Sequence, residues 1–556
     1  MATKSPNKTQ QEDEKLNSSA REVKKVAESL IRKISLQAHF YNRENTKTLT
    51  SLLGSDADQP TSSRPFPPCQ KTSKKRLYVA ERDYARYKDR KAKGDEKPFI
   101  PFAKDYARII HSPSFRRLQG KSQLIPAGEN EFFRTRLTHS LEVSDIALRI
   151  ARKINTEHPY FEKNNLDLDL LSCACLLHDI GHPPFGHSGE EVLNQLMGEF
   201  GGFEGNAQTL RLVTTLENRL GSDIEVKDAY QHPRGLNLTA RTLASIIKYD
   251  KKIVMEADGD GIYKVQKGYY ESEAEVVKFV KKQLGLGSRE SLKTVECQIM
   301  DIADDIAYSA YDLEDTMEAG IVLPFDLMSL HDDDLDKIRM DVNRQIEKRF
   351  PEIGPISSKD VLVTLIGVFD SILEFNKKNA YNLAEASDQN GFTVPNDRIV
   401  FVGRSYGESA LHAENPLIRR QFLETLIQRN IDAISVELNV ERPFMSKLRI
   451  DYDRLIVIEC LKAFNFHKVI ATKKIQMAQY RSKKILESIF DALIKDRNKG
   501  YLLSDEQRRY LKYMHKKDDP AIHRFICDII ANFTDHEALQ LFNKLNGNGK
   551  FFEYSF

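Results

Sequence analysis

Tryptophan is absent from the 556 residues, glycine is sparse at 27, and convincing alternation of apolar and polar side chains is scarce. Little alternation argues against a β-rich protein, and long segments with apolar residues at helical spacing make the expected fold mostly α. No apolar stretch approaches the roughly 20 residues of a membrane span, and the polar N-terminus lacks a signal core, so a cytoplasmic protein without membrane contact is expected. The six cysteines include no CxxC pair. Cys173 and Cys175 fall inside an apolar run, which suits buried thiols in a reducing compartment. An excess of either charge is also missing: 83 basic and 81 acidic residues give a formal net charge of +2. No global field therefore marks an obligate nucleic-acid binder, although local positive pockets stay open.

What is present is organised unevenly. Residues 1–20 are charged and polar enough to be disordered, and 20–40 carry a helix-like stripe (Val23, Val26, Leu30, Ile31, Ile34, Leu36). Residues 54–75, rich in Ser, Pro, Asp and Lys, read as a linker, so 1–75 form an N-terminal extension. Farther on, 249–270 centre on an Asp-Gly-Asp-Gly string and predict a small β-hairpin, while 384–409 predict an irregular loop.

The densest chemistry lies at 176–187. His178, Asp179, His182 and His187 surround Gly181, Pro183 and Pro184. The apolar run 170–177 predicts a buried helix that delivers His178 and Asp179 to its end, and the Gly-Pro-Pro break then forbids further helix. Upstream, His139 sits on a predicted amphipathic helix with Leu137, Leu141, Ile146 and Ile150. Downstream, Asp301, Asp304 and Asp305 share another. Imidazole and carboxylate without thiolate suit a divalent Mn, Fe, Co, Ni, Zn or Mg ion, with positions left open for water and phosphate oxygens.

These residues follow the H…HD…D pattern of the HD-domain metallohydrolases, and within that superfamily the chain resembles the deoxyguanosinetriphosphate triphosphohydrolases. The resemblance is carried by residues 105–112 and 115–123 (FRRLQGKSQ), 136–143, the block HDIGHPPFGHSGE from His178, 203–208 (FEGNAQ) and 303–308. It runs from about residue 80 to the C-terminus and implies an HD-type helical domain over 76–556. That domain divides into an HD core at about 105–320 and a C-terminal helical region at about 321–556.

The resemblance also implies roles. His139, His178, Asp179 and a downstream Asp would bind the metal. Asp304 is the choice, because Asp304, Tyr308 and Asp312 share a helix face at i, i+4 and i+8, and relatives place a sugar-holding Tyr and Asp at those intervals. Asp301 and Asp305 are then solvated or helix-pairing charges. His187 and Glu190 match a proton-transfer pair, with Glu190 three residues on and able to turn back to the imidazole. Ser188 and Glu191 have capping-box spacing and are expected to start a helix at Ser188. His182 is either catalytic or a support, and Glu204 completes the proton network. Gln123 and Leu124 match positions near base and sugar, and Asn206 matches a phosphate contact. Arg136, Lys248 and Lys267 are candidate triphosphate cations. Gly120-Lys121-Ser122 imitates the end of a P-loop, but Phe115 stands where that loop needs glycine.

The expected reaction is metal-dependent hydrolysis of dGTP, or other dNTPs, to deoxynucleoside and inorganic triphosphate, which would control dNTP pools. His187 would act as general acid or general base. Two alternatives compete: another HD phosphohydrolase, namely a nucleotidase or phosphodiesterase, or a nucleic-acid-binding regulator with a degenerate HD core. The resemblance further implies a homo-oligomer (hexamer or tetramer) and a dNTP effector. Lys473, Lys474, Arg481, Lys483 and Lys484 offer a candidate groove for a single-stranded DNA effector.

Overall fold

Leu170, Leu171, Cys173, Ala174, Cys175, Leu176 and Leu177 are all buried, so the apolar run forms a helix sunk into the core, with Asp169 exposed in its first turn. In the computed structural model this helix spans Leu168–Leu177 and starts at Asp167, whose carboxylate accepts the Leu170 N–H at 2.9 Å. Each fully buried leucine contributes roughly 1.5–3 kcal/mol of transfer free energy. The structure describes residues 73–87, 100–123, 134–217, 235–323, 330–373 and 414–547, apart from a few positions within these spans. The amphipathic stripe at 20–40, most of the expected linker and the loop expected at 384–409 lie outside the described residues, as does Leu124.

The principal helices of the larger unit are α1 (Ile100–Ile110), α2 (Arg136–Glu157), α3 (Leu168–Leu177), α4 (Gly186–Leu196), α5 (Gly205–Arg211), α6 (Ala240–Ile246) and α7 (Val295–Glu318). α1, α2 and α6 pack around α3. This mostly helical architecture carries two small antiparallel sheets. The first is the predicted hairpin, with β1 (Val254–Ala257) paired to β2 (Tyr263–Gln266). It docks on α4, where the Tyr263 carbonyl accepts from Asn194 (2.9 Å) and Gln195 (2.8 Å). The second pairs β3 (Ile434–Glu437) with β4 (Lys447–Ile450).

Two compact units emerge from the contacts. Among the described residues, the smaller comprises those within 316–426 and 452–469, and the larger comprises those within 73–315, 427–451 and 470–547. In the smaller unit, α8 (Asp332–Arg349) buries Leu335, Ile338, Val342 and Ile346, and packs on α9 (Ser358–Leu373). The helix α10 (Tyr452–Ile470) brings His467 to 2.9 Å from Asp341.

In the larger unit, α11 (Lys473–Asp496), α12 (Asp505–Met514), α13 (Asp519–Ala531) and α14 (Asp535–Leu545) follow. Ile485, Leu486, Ile489 and Phe490 of α11, with Ile526 and Ile530 of α13, form one apolar cluster with Val192 and Leu193 of α4. The C-terminal helices thereby support the helix that carries His187 and Glu190. Gly189 permits the tight turn that leads into α4, since a Cβ there would lie 1.9 Å from the Pro184 carbonyl oxygen. The described cysteines, Cys173, Cys175, Cys297, Cys460 and Cys527, are buried free thiols. No described helix is long and apolar enough to cross a membrane.

Candidate active site

Three helices bring four ligand-type side chains together. His139 comes from α2, His178 and Asp179 from the end of α3, and Asp304 from α7. His139 Nε2 stands 3.2 Å from Asp304 Oδ1, and His178 Nε2 stands 3.5 Å from the same oxygen and 3.6 Å from Asp179 Oδ1. The Cys175 carbonyl, an acceptor only, lies 2.6 Å from His178 Nδ1. That bond places the ring proton on Nδ1 and turns the Nε2 lone pair into the cluster, the tautomer a metal ligand requires. His178 Nε2 is buried and has no hydrogen-bond partner among the described residues.

Electrostatics points the same way. Burial would lower the His178 pKa, but Asp179 and Asp304 outweigh it and raise it above the ordinary imidazole value. Burial would raise both carboxylates, yet Asp179 is held well below its usual range by His182, Arg136 and His178. Asp304 is held there by Lys248 and the two histidines. A site that draws protons onto imidazole and keeps carboxylates ionised has the field of a cation site. His139, His178 and Asp179 could hold an ion directly, and the mixed nitrogen and oxygen donors fit a divalent transition metal or Mg.

The loop after α3 is shaped by close backbone approach. A Cβ on Gly181 would fall 2.3 Å from the Gly205 carbonyl oxygen and 2.3 Å from the Thr209 nitrogen, so α5 abuts the turn only because position 181 is glycine. Four residues on, Phe185 adopts φ 65°, ψ 20° as the residue preceding α4. A left-handed phenylalanine costs about 1–3 kcal/mol and persists only where its surroundings impose it. This backbone starts α4 at Gly186. Ser188 is consequently inside the first turn and the capping box expected with Glu191 does not form, because no side chain caps α4.

Glu190 does turn back to His187. Its Oε2 lies 3.4 Å from His187 Nδ1, and its Oε1 accepts the Gly205 N–H at 2.7 Å. The His187 side chain is 70% exposed, open to an incoming ligand. His182 is half-buried closer in, with Nδ1 3.0 Å from Asp179 Oδ1. Burial and then Arg136 depress its pKa. Against the pull of burial, the His187 hydrogen bond, both histidines and the Gly205 N–H hold Glu190 at about 2. The sign follows: a carboxylate depressed on folding stabilises above the unfolded value near 4.5 and loses that stabilisation as pH falls toward 2, on the order of 3 kcal/mol. Glu190→Gln should therefore melt well below the wild type at pH 6, and the gap should narrow steadily as pH falls from about 5 toward 2. An unchanged gap across that range in thermal melts would contradict the assignment.

Other predicted positions are placed as follows. The Arg136 guanidinium meets Asp179 Oδ2 at 2.5 Å, so this cation is engaged with a candidate ligand. Lys248 Nζ lies 3.3 Å from Asp304 Oδ2 and 3.3 Å from Asp301 Oδ1, at the edge of the cluster. Asp301 also pairs with Lys293 at 2.5 Å. Lys267 is exposed after β2, with Nζ 5.8 Å from the centre of the Tyr249 ring. Glu204 caps α5 through the Ala207 N–H (2.8 Å) and accepts from the Asn206 amide (2.6 Å). Gln123 is half-buried beside Gly186, its backbone oxygen 3.7 Å from where a Cβ there would stand. Tyr308 is half-buried, and Asp312 is fully buried with neither carboxylate oxygen bonded to any described residue. Burial pushes the Asp312 pKa well above the ordinary value, with Asp315 adding to it. Lys473, Arg481, Lys483 and Lys484 lie exposed along α11.

Residues 136–309 match the HD domain and 453–544 match the phosphohydrolase-associated domain. Fold, ligand cluster and these matches define a metal-dependent phosphohydrolase of the HD class. Relatives narrow the class. The chain is similar to deoxyguanosinetriphosphate triphosphohydrolase-like protein 2 of Mesorhizobium japonicum, at 34% identity over 82% of this chain and 94% of that protein. It is also similar to the deoxyguanosinetriphosphate triphosphohydrolase-like proteins of Shewanella sediminis (30% identity; 80% of this chain, 91% of that one) and Shewanella halifaxensis (31%; 80% and 91%). The chain belongs to the deoxyguanosinetriphosphate triphosphohydrolase-like family.

Proposed function

We propose that the protein hydrolyses dGTP, and other dNTPs, to deoxynucleoside and inorganic triphosphate, and so acts on dNTP pools. The observation that carries this reading is the line from Asp304 to Tyr308 to Asp312. It leads along one face of α7 from the candidate metal ligands to a buried carboxylate with two unused acceptor oxygens. An acceptor so placed matches a sugar hydroxyl on a nucleotide whose phosphates reach the cluster.

His139, His178, Asp179 and Asp304 would hold the divalent ion, which when bound would supply Lewis-acid polarisation of a phosphate. Arg136 fixes Asp179 from behind, and Cys175 fixes His178 through its carbonyl. His187 moves the proton, as acid to the departing 5′-oxygen or as base to water, while Glu190 holds its Nδ1 side. His182 braces Asp179 from the other flank, Glu204 orders the Gly205 turn that binds Glu190, and Lys248, Lys267 and Asn206 contribute to phosphate recognition. Tyr308 closes the space beside C2′, and Asp312 accepts the 3′-hydroxyl.

Purified protein with Mn or Mg is to be incubated with each dNTP and NTP and both products identified. Deoxynucleoside plus triphosphate is expected; nucleoside monophosphate or orthophosphate would move the chain to a different HD chemistry. The sugar assignment has its own test. The wild type should prefer dGTP to GTP strongly in kcat/KM, Tyr308→Ala should narrow that preference, and Asp312→Ala should weaken all deoxynucleotides without admitting ribonucleotides. Equal wild-type rates on dGTP and GTP would overturn it.

A further inference from the structure

The Gly120-Lys121-Ser122 string, a false P-loop in sequence terms, occupies a buried junction that the catalytic reading leaves unused. Lys121 is 2% exposed, and its ammonium group donates to two backbone carbonyls: His182 at 2.7 Å and Ala531 at 2.8 Å. Next to it, Ser122 donates its N–H (3.0 Å) and its hydroxyl (2.5 Å) to Asp535 Oδ2. The other oxygen of the same carboxylate, Oδ1, accepts the N–H of Phe185 at 2.8 Å. Gly120 lets these segments meet, because a Cβ there would stand 2.6 Å from Thr534 Cγ2.

The two loops that Asp535 joins each launch a helix of the active site. Ser122 bridges to Thr135, the N-cap of α2, and the Lys121 carbonyl accepts the Arg136 N–H at 3.1 Å. That helix carries Arg136 and His139. Phe185 is the left-handed residue from which α4 departs, and α4 carries His187 and Glu190. Its peptide N–H would have no helical acceptor, and Asp535 supplies one. Asp535 is itself the first residue of α14, tied in turn by the Thr534–Glu537 capping box.

We propose that Asp535, seconded by Lys121, is a positioning residue: it locks the start of the acid–base helix to the start of the metal-ligand helix and so sets His187 against the metal cluster. The C-terminal helices thus contribute to turnover through one carboxylate bonded to two active-site loops, and not through any contact with substrate. This rests on the acid–base reading above for its rate arm only.

The test uses the full-length, metal-loaded protein. Asp535→Asn keeps shape but turns one acceptor into a donor, which must then face either Ser122 or Phe185, both donors. Metal content and KM should stay within about twofold, while kcat falls by about 10–100-fold, the scale of an ångström-level misplacement. Amide exchange at Phe185 and Ser122, read by mass spectrometry, should accelerate in the same variant. Glu537→Ala, which weakens the α14 cap without touching either loop, should lower Tm and leave kcat and KM as they are. The exchange arm needs no substrate, so it decides the clamp even if the wild type turns over no dNTP. The inference is wrong if Asp535→Asn leaves kcat and exchange unchanged. It is also wrong if Glu537→Ala, matched for Tm loss, lowers kcat equally.

Discussion

A His139→Ala protein is expected to purify without its metal and without turnover, while its helical content stays at the wild-type level. The imidazole sits midway along the cluster, 3.2 Å from Asp304, and α2 reaches that point through a buried face formed by Val143, Ile146, Ala147 and Ile150. Those residues keep α2 in place when the ring is removed, so the lesion is local. Loss of one ligand from a four-ligand set leaves Asp304 facing His178 and Lys248 alone, a pairing that satisfies charge without retaining an ion. Alanine at His178, Asp179 or Asp304 should behave alike. Metal analysis of the purified proteins beside a product assay is decisive: full occupancy with full activity in His139→Ala would remove that residue from the site.

The second large effect separates chemistry from binding. His187→Ala should retain metal and bind dGTP, yet lose about 10²–10⁴-fold in kcat, the usual worth of a positioned acid or base. Core packing is not at stake, since the side chain is 70% exposed and its described polar contact is Glu190 at 3.4 Å, although the loss of that contact should lower Tm modestly. If the rate stays within a few-fold, the proton is carried elsewhere, and His182 is the next group to examine. A His182→Ala change differs in kind. That ring abuts Asp179 at 3.0 Å, so its removal should disturb metal affinity as well as rate.

How much of this was readable from the chain depends on distance along it. The helical class, the hairpin at 249–270 and the burial of Cys173 and Cys175 follow from periodicity and turn residues, which are local properties. The meeting of His139, His178, Asp179 and Asp304 was legible through a resemblance, and the choice of Asp304 over its neighbours through helical spacing. The start of α4 was misjudged by two residues. Ser188 and Glu191 carry the right local chemistry for a cap, but the left-handed Phe185, whose N–H is bonded to Asp535 far downstream, opens the helix earlier. Arg136 and Lys248 were read as candidate triphosphate cations, and no local pattern reveals that folding also brings each against a carboxylate of the cluster. Lys121 looked like part of a failed nucleotide loop for the same reason: its partners, the carbonyls of His182 and Ala531, are backbone atoms that carry no sequence signature.

The unbonded carboxyl group of Asp312 turns substrate binding into a proton inventory. With its pKa raised by burial, the group keeps its proton to higher pH in the empty protein than an exposed carboxyl would. A 3′-hydroxyl that donates to it favours the ionised form, so docking of a deoxynucleotide should expel a proton into solution. Calorimetric heats of binding would then scale with the ionisation enthalpy of the buffer. Dideoxynucleotides, with no hydroxyl to offer, would bind with heats indifferent to buffer. The protein would thus report the identity of a sugar edge as a change in acidity, a signal available before any bond to phosphorus is broken.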